Sequence, residues 1–212
     1  MYLMERVHRA NVVIILSDPV VSEMNPINRC TIRTSGGNVW PLMVPVERSE
    51  EDIPADECVV HGTKAWRRKL LDDVAYAYGR LHCRADALVL AEKCLIPPTD
   101  GRRELLVDVL MGSFVTLLDE LGWQKEIIRG DTLQRRRYAN PDEFLMNLAL
   151  EGEIDSLLVG HRQKQNLNQQ MFSANDINLV PQYWKRPSSV GMNDCFLDSI
   201  ARVGMGRTRQ LL

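Results

Sequence analysis

A single segment, Asn28 to Glu47, constrains this chain more than any other. Cys30, Ile32 and Thr34 alternate with Thr31 and Arg33, the period-two pattern of a strand. Ser35-Gly36-Gly37-Asn38 follows, a run that tolerates positive φ and lets the chain reverse. Val39 to Val46 then returns as an apolar run. The segment therefore reads as a β-hairpin. Pro41 and Pro45 cannot donate to a ladder, so the second strand is expected at an edge or a bulge.

Upstream, Val12-Val-Ile-Ile-Leu16 is a continuous apolar run that stops at Ser17-Asp18-Pro19. It reads as a buried strand that delivers Asp18 to a sheet end, where α/β proteins place ligands. Met1 to Ala10 fits a short helix or a displaced terminus. The acidic stretch 47–57 reads as a solvated loop, with Pro54 blocking helix growth. Helices are expected over about 64–78, 85–94, 100–121, 140–150 and 194–203, and strands over 58–60, 126–128, 157–159 and 175–180. In the 100–121 helix, apolar residues from Leu105 through Leu110 to Leu121 recur at three and four, and Gly122 is placed to end it. Asn140-Pro141 is a helix-start signal, with Phe144, Leu145, Leu148 and Leu150 facing inward. A connection at Pro97–Gly101 reads as a helix–helix turn within one domain. Strands separated by helices predict an α/β fold: a single domain spanning 1–212, with a mostly parallel or mixed sheet, helices on both faces and an N-terminal β-hairpin. In detail, residues 12–16 and the hairpin are expected in one sheet, with the 100–121 helix packed on it.

A chain of 212 residues is long enough for a real core. A net charge of −2 gives no global field to draw it onto nucleic acid or anionic lipid. The longest apolar runs are far too short for a membrane span, and no apolar leader opens the sequence, so a cytoplasmic location is expected. Five scattered Cys without a Cys-x-x-Cys pair read as reduced thiols. No His, Cys or Asp spacing suggests a zinc site, and neither a metal nor a cofactor is expected.

The order of these features resembles the WbqC-like protein family. The likeness rests on the strand Val12–Leu16, the acid Asp18, Asn28-Arg29, the Gly36-Gly37 turn and Trp40-Pro-Leu-Met-Val-Pro-Val46. Trp66, Tyr76, Tyr78, Leu121-Gly122, Asp155–Gly160, Phe172–Tyr183 and Phe196-Leu-Asp-Ser199 extend it more diffusely. Family members usually open on a strand with a His-Gln-Pro-like motif, which this sequence lacks; if that His is catalytic in the family, this protein has lost it, uses another residue or is recorded from an internal start. The resemblance implies a link to surface-polysaccharide gene clusters and to acyl- or amino-group transfer.

Several residues could carry such chemistry. Asp18, at a strand end, is a candidate acid–base group, against the alternative of a turn former. His61 lies between a strand and a helix, and His161 follows the apolar run ending at Gly160; both suit a general base. Asn28 and Arg29 could hold a carboxylate or phosphate, against a surface ion pair of Arg29 with Asp18 or Glu23. Gly160 and Arg162 could bind an anion before a helix. Trp40 and Asp131 complete the candidate substrate-binding set. The expected function is a transferase moving an acyl or amino-acid group onto a phosphorylated acceptor such as a sugar nucleotide. One alternative is a virus-type DNA-modifying transferase acting on a modified thymine. It would draw on two basic clusters, Arg135-Arg-Arg137-Tyr138 and Trp66-Arg67-Arg68-Lys69, if these share a face. A third is a non-catalytic binding relative. The expected partner is a phosphorylated small molecule or nucleotide, with no membrane and the oligomeric state open.

Overall fold

The computed structural model describes residues 2–16, 20–21, 27–47, 53–61, 65–95, 103–130, 140–183, 185, 187 and 195–212. Asp18, Asp131 and the 135–138 cluster lie outside these residues, as does the Pro97–Gly101 connection. The fold is mixed α/β with an N-terminal hairpin. The chain packs as two compact units. Unit 1 comprises residues 17–124 and 187–212 together with Met1; unit 2 comprises 2–16 and 125–186.

Unit 1 is built on the hairpin. β3 (Arg29–Arg33) pairs antiparallel with β4 (Val39–Met43), with Arg29 opposite Met43 and Ile32 opposite Trp40. Gly37 takes φ 87°, and the Gly37 amide donates to the Thr34 carbonyl at 2.9 Å. This is the left-handed position that a three-residue hairpin loop gives to glycine. The backbone bonds Val44 N to Asn28 O and Thr34 N to Asn38 O fix the hydrogen-bonding phase of the ladder. Pairs alternate along it, so Thr31 opposite Pro41 is a non-hydrogen-bonded pair. The N–H that Pro41 lacks would have pointed away from β3, which is why the ladder tolerates it.

Beyond β4 the chain stays extended. His61 N donates to Pro45 O, Glu47 N to Val59 O, and Val46 bridges Val60 antiparallel. Val59 in turn bridges Leu105, with Val60 N bonded to Glu104 O and Leu106 N to Cys58 O. The result is an antiparallel array in the order β3, β4, residues 58–61, residues 104–106. A short antiparallel pair, β2 (Val20–Val21) with β5 (Ile53–Pro54), completes the strands of this unit. The acidic stretch is therefore not wholly loop.

The helices of unit 1 are α2 (Ala65–Ala77), α3 (Arg84–Cys94), α4 (Leu106–Leu121), α8 (Phe196–Val203) and α9 (Met205–Gln210). Helix α4 starts later than the expected Asp100, because Glu104 and Leu105 are engaged as strand. Its end is as expected: Gly122 adopts φ 69° and its amide caps Asp119. One core gathers Ile32, Val74, Tyr78, Leu90 and Ile200; a second gathers Val44, Cys58, Trp66, Leu70 and Leu106. Leu110 only flanks the second core, half-buried.

Unit 2 begins with α1 (Tyr2–Arg9) and β1 (Val12–Ile15), which pairs parallel with β6 (Glu126–Arg129). Helix α5 (Pro141–Glu151) has Asn140 as its N-cap, accepting from Glu143 N at 2.8 Å, and proline in its first turn, as expected. Its inward face differs from expectation: Leu150 is 45% exposed, whereas Ala149 is fully buried. β7 (Ser156–Gly160) pairs parallel with β8 (Asn178–Gln182), and α6 (His161–Asn166) and α7 (Gln169–Ser173) lie between them in sequence. Ala149, Val159, Phe172, Ile177 and Leu179 form the core.

The expectation that residues 12–16 and the hairpin share a sheet is overturned. β1 pairs with β6 in unit 2, whereas β3 and β4 pair in unit 1. The reason is partner choice: β1 finds a parallel neighbour in Glu126–Arg129, where Ile127 and Ile128 stand opposite Val13 and Ile14. The hairpin, closed locally by its glycine turn, extends instead through residues 44–47 to 58–61.

Candidate functional site

Opposed residues on a ladder place their side chains on the same face. The inner face of the unit 1 array carries Ile32, Trp40, Leu42, Val44, Cys58 and Val60, packed on the helices. Arg29 and Met43 therefore share the outer face, and both are exposed. His61 stands opposite Pro45, two residues beyond Met43, and is exposed as well. With strands about 4.8 Å apart and a rise of about 3.3 Å per residue, the Cα atoms of Arg29 and His61 are roughly 12 Å apart. Two long side chains can meet a common ligand across that span. Among the described residues neither side chain has a hydrogen-bond or ion-pair partner.

Asn28 is placed differently. Its amide donates to the Val44 carbonyl at 3.0 Å, and its own carbonyl accepts from Val44 N. That engages the side chain in closing the base of the hairpin. Trp40 is half-buried on the inner face, its ring 5.5 Å from that of Tyr76, which is 72% exposed.

In unit 2, Gly160 and Gln182 end the β7–β8 ladder in register. His161 and Tyr183 follow at the carboxyl ends of parallel strands, the usual ligand edge. Their rings lie 5.2 Å apart. Gly160 N donates to the Gln163 side chain at 3.0 Å, so that amide is already satisfied. Nothing is described of the Arg162 side chain.

One group that the sequence analysis did not place in a site sits at the centre of unit 1. Asp198 is fully buried. Its Oδ1 accepts from the Tyr78 hydroxyl and from Arg33 N, both at 2.8 Å, and its Oδ2 accepts from Cys195 N at 2.9 Å. Arg33 stands opposite Val39 in a non-hydrogen-bonded pair, so its N–H points off the hairpin edge. The carboxylate takes up that orphan donor. The buried phenol of Tyr78 is pushed up from its ordinary pKa by desolvation and by the neighbouring Cys195 and Asp198. The Cys195 thiol rises to about 12, again chiefly through burial, with Asp198 adding to it.

The family model of the WbqC-like proteins matches residues 2–196, nearly the whole length. The chain belongs to the WbqC-like protein family. No curated protein and no solved structure matched it. Several stretches that carry the WbqC-like resemblance meet in unit 1: Trp40 touches Tyr76, and Tyr78 bonds Asp198 of the Phe-Leu-Asp-Ser stretch. The sequence placed Asp198 in an expected helix over 194–203 and in the resembling Phe-Leu-Asp-Ser stretch; nothing in it signalled that Arg33 and Tyr78 would converge on that carboxylate.

Each cation of the basic cluster at 66–69 has a carboxylate partner, and Arg68 and Lys69 stay exposed to solvent. Arg67 is buried and paired with Glu104, while Arg68 pairs with Asp72 at 3.2 Å and Lys69 with Asp73 at 2.7 Å. No helix among the described residues is long and apolar enough to cross a membrane.

Proposed function

We propose that this WbqC-like protein is a transferase that moves an acyl or amino-acid group onto an activated, phosphorylated acceptor, such as a sugar nucleotide in surface-polysaccharide biosynthesis. The observation that carries this reading is the placement of Arg29 and His61, neither with a partner among the described residues, on one exposed face of one ladder. A guanidinium fork binds phosphate oxygens bidentately. An imidazole takes a proton near neutral pH. In this scheme Arg29 holds the acceptor's phosphate. His61 accepts the proton of the attacking amine or hydroxyl as the new bond to the donor carbonyl forms. It then returns that proton to the leaving group as the old bond breaks. His161 and Tyr183 are a separate candidate pair in unit 2; Asp18 remains a candidate acid–base group and Asp131 a candidate substrate-binding residue.

The test titrates thymidine diphospho-sugars and a short single-stranded DNA against wild type, Arg29→Ala, Arg29→Lys and His61→Gln, with melting temperature as control. Arg29→Ala is expected to weaken sugar-nucleotide binding by about 1.5–3 kcal/mol, the worth of hydrogen bonds to a charged group. Its melting temperature should stay within a degree or two, because an exposed charge contributes little to folding. Lysine should restore binding only in part. His61→Gln should abolish transfer while leaving affinity near wild type. Equal affinity across the Arg29 series removes Arg29 from the site. The DNA-modifying alternative predicts instead tight DNA binding that falls steeply with salt.

A further inference from the structure

The fourth segment of the unit 1 array brings a second guanidinium to the face that carries Arg29 and His61. Val59 bridges Leu105 antiparallel, so the register counted from that bridge sets Glu104 beside Val60 and Arg103 beside His61. Alternation along the segment then fixes the faces. Glu104 points inward, where it pairs with the buried Arg67, so Arg103 points outward with His61. On the other side of residues 58–61, Val46 packs against the core and bridges Val60, which turns Glu47 outward too. An ion pair supports both placements independently: Arg103 Nη2 donates to Glu47 Oε2, although a whole strand lies between their backbones. Glu47 stands opposite Val59 and Arg103 opposite His61, so the pair crosses that strand diagonally, beside the imidazole.

We propose that Arg103 is a second phosphate-binding residue of this site, and that Arg29 and Arg103 together clamp a diphosphate beside His61. The inference rests on the transferase reading above and narrows its acceptor to one carrying two linked phosphates. Three strand spacings and a two-residue offset separate the Cα atoms of Arg29 and Arg103, roughly 16 Å. Two extended arginine side chains reaching toward each other close that span to a few ångströms, the separation of neighbouring phosphate groups. Met43 and Pro45, the outward residues between them, carry no charge. A single phosphate held by Arg29 leaves Arg103 with Glu47, whereas a second phosphate reaches it. His61 lies one strand spacing from Arg103, about 4.8 Å, within reach of the group attached to that second phosphate.

The pairing with Glu47 does not block this role. Both side chains are open to water, 69% for Arg103 and 44% for Glu47. An exposed ion pair is worth little, because water screens it and two long side chains lose freedom in making it. A phosphate offers the same guanidinium a bidentate partner of higher charge. The exchange therefore favours the phosphate, and until it arrives Glu47 holds Arg103 across the strand at His61. A ligand that brings only a carboxylate gains little, since it replaces one carboxylate with another.

The experiment titrates thymidine diphosphate and thymidine monophosphate into the full chain by calorimetry at one fixed ionic strength, with melting temperature recorded for each variant. Wild type should bind the diphosphate at least about tenfold more tightly than the monophosphate. Arg103→Gln should weaken the diphosphate by about tenfold or more and leave the monophosphate within about twofold. Arg103→Lys should recover the diphosphate only in part. Glu47→Gln removes the same ion pair but frees the guanidinium, so it should tighten the diphosphate by up to about fivefold. A merely structural ion pair would move binding the same way in Arg103→Gln and Glu47→Gln; the clamp moves it in opposite directions. Equal losses for both nucleotides in Arg103→Gln, no loss for either, or same-sign effects in those two variants overturn the clamp. Arg29→Ala separates the two readings. If it weakens both nucleotides while Arg103→Gln spares both, the clamp falls and the Arg29–His61 site stands. If it changes neither, the site falls and the clamp with it.

Discussion

Removing the Asp198 carboxylate should destabilise unit 1 more than any surface change. In Asp198→Ala three donors lose their acceptor: the Tyr78 hydroxyl, Arg33 N and Cys195 N. A buried donor left unpaired costs about 1–3 kcal/mol. Three together would reach roughly 9 kcal/mol as an upper bound, but the deleted carboxylate leaves room for water to meet some of them. The expected loss is therefore about 3–5 kcal/mol. With a urea m-value of about 2.5 kcal/mol/M, the midpoint falls by about 1–2 M. Urea unfolding followed by tryptophan fluorescence reads this, since Trp40 and Trp66 both pack in unit 1. A double-mutant cycle locates the effect. Tyr78→Phe alone should cost about 1–2 kcal/mol, and close to nothing once Asp198 is Ala. Asp198→Asn should fall between, because its oxygen can still serve Tyr78 and Arg33 while its NH₂ opposes Cys195 N. A loss below about 1 kcal/mol in Asp198→Ala, or additive costs in the cycle, would refute the account of this carboxylate as the shared acceptor.

Leu106→Ala should cost about 2–5 kcal/mol because Leu106 is fully buried. Leu110→Ala should cost less than about 2, since Leu110 only flanks that core; chemical denaturation compares the two. Asn28→Ala should cost about 0.5–1.5 kcal/mol through the lost bond to Val44 O. Sugar-nucleotide titration of that variant should match wild type, separating Asn28 from Arg29. Burial raises the Cys195 thiol to about 12 and the Cys94 thiol to about 11, from an ordinary value of 9.0. A folded-state pKa above the unfolded one stabilises the fold below about pH 9, and that stability is lost as pH rises toward 11–12. Thermal melts from pH 8 to 11 should fall accordingly. Iodoacetamide at pH 8 should label both thiols far more slowly in the folded than in the urea-unfolded protein.

The hairpin was legible because its signals are local: alternation, a glycine turn and prolines at tolerated positions. The Asn140-Pro141 start and the Gly122 stop were legible for the same reason, since caps act within one turn. What escaped was pairing between distant segments. Nothing near Val12 says that its neighbour is Glu126 rather than the hairpin, because an apolar run suits any buried edge. The start of α4 was misplaced because Leu105 fits both a helical apolar stripe and a bridge to Val59, and tertiary pairing decided. Among the candidate site residues, position within an element was readable for His61 and His161. Engagement was not: Asn28 and Arg29 are adjacent, yet one is held by Val44 and the other is open to solvent.

The threading of the two units sets a timetable for synthesis. Ile15 must wait for Arg129 before β1 has its neighbour, and Tyr78 waits for Asp198, 120 residues later. At about 5–20 residues per second, that second delay lasts roughly 6–24 s. Through it, unit 1 lacks the helix Phe196–Val203 that contributes Ile200 and Ala201 to its core, and β1 begins life as an unclaimed apolar edge. Unit 1 thus stays incomplete until residues 195–203 have left the ribosome. Truncation before Cys195 would yield an aggregation-prone client for chaperones rather than a smaller folded protein.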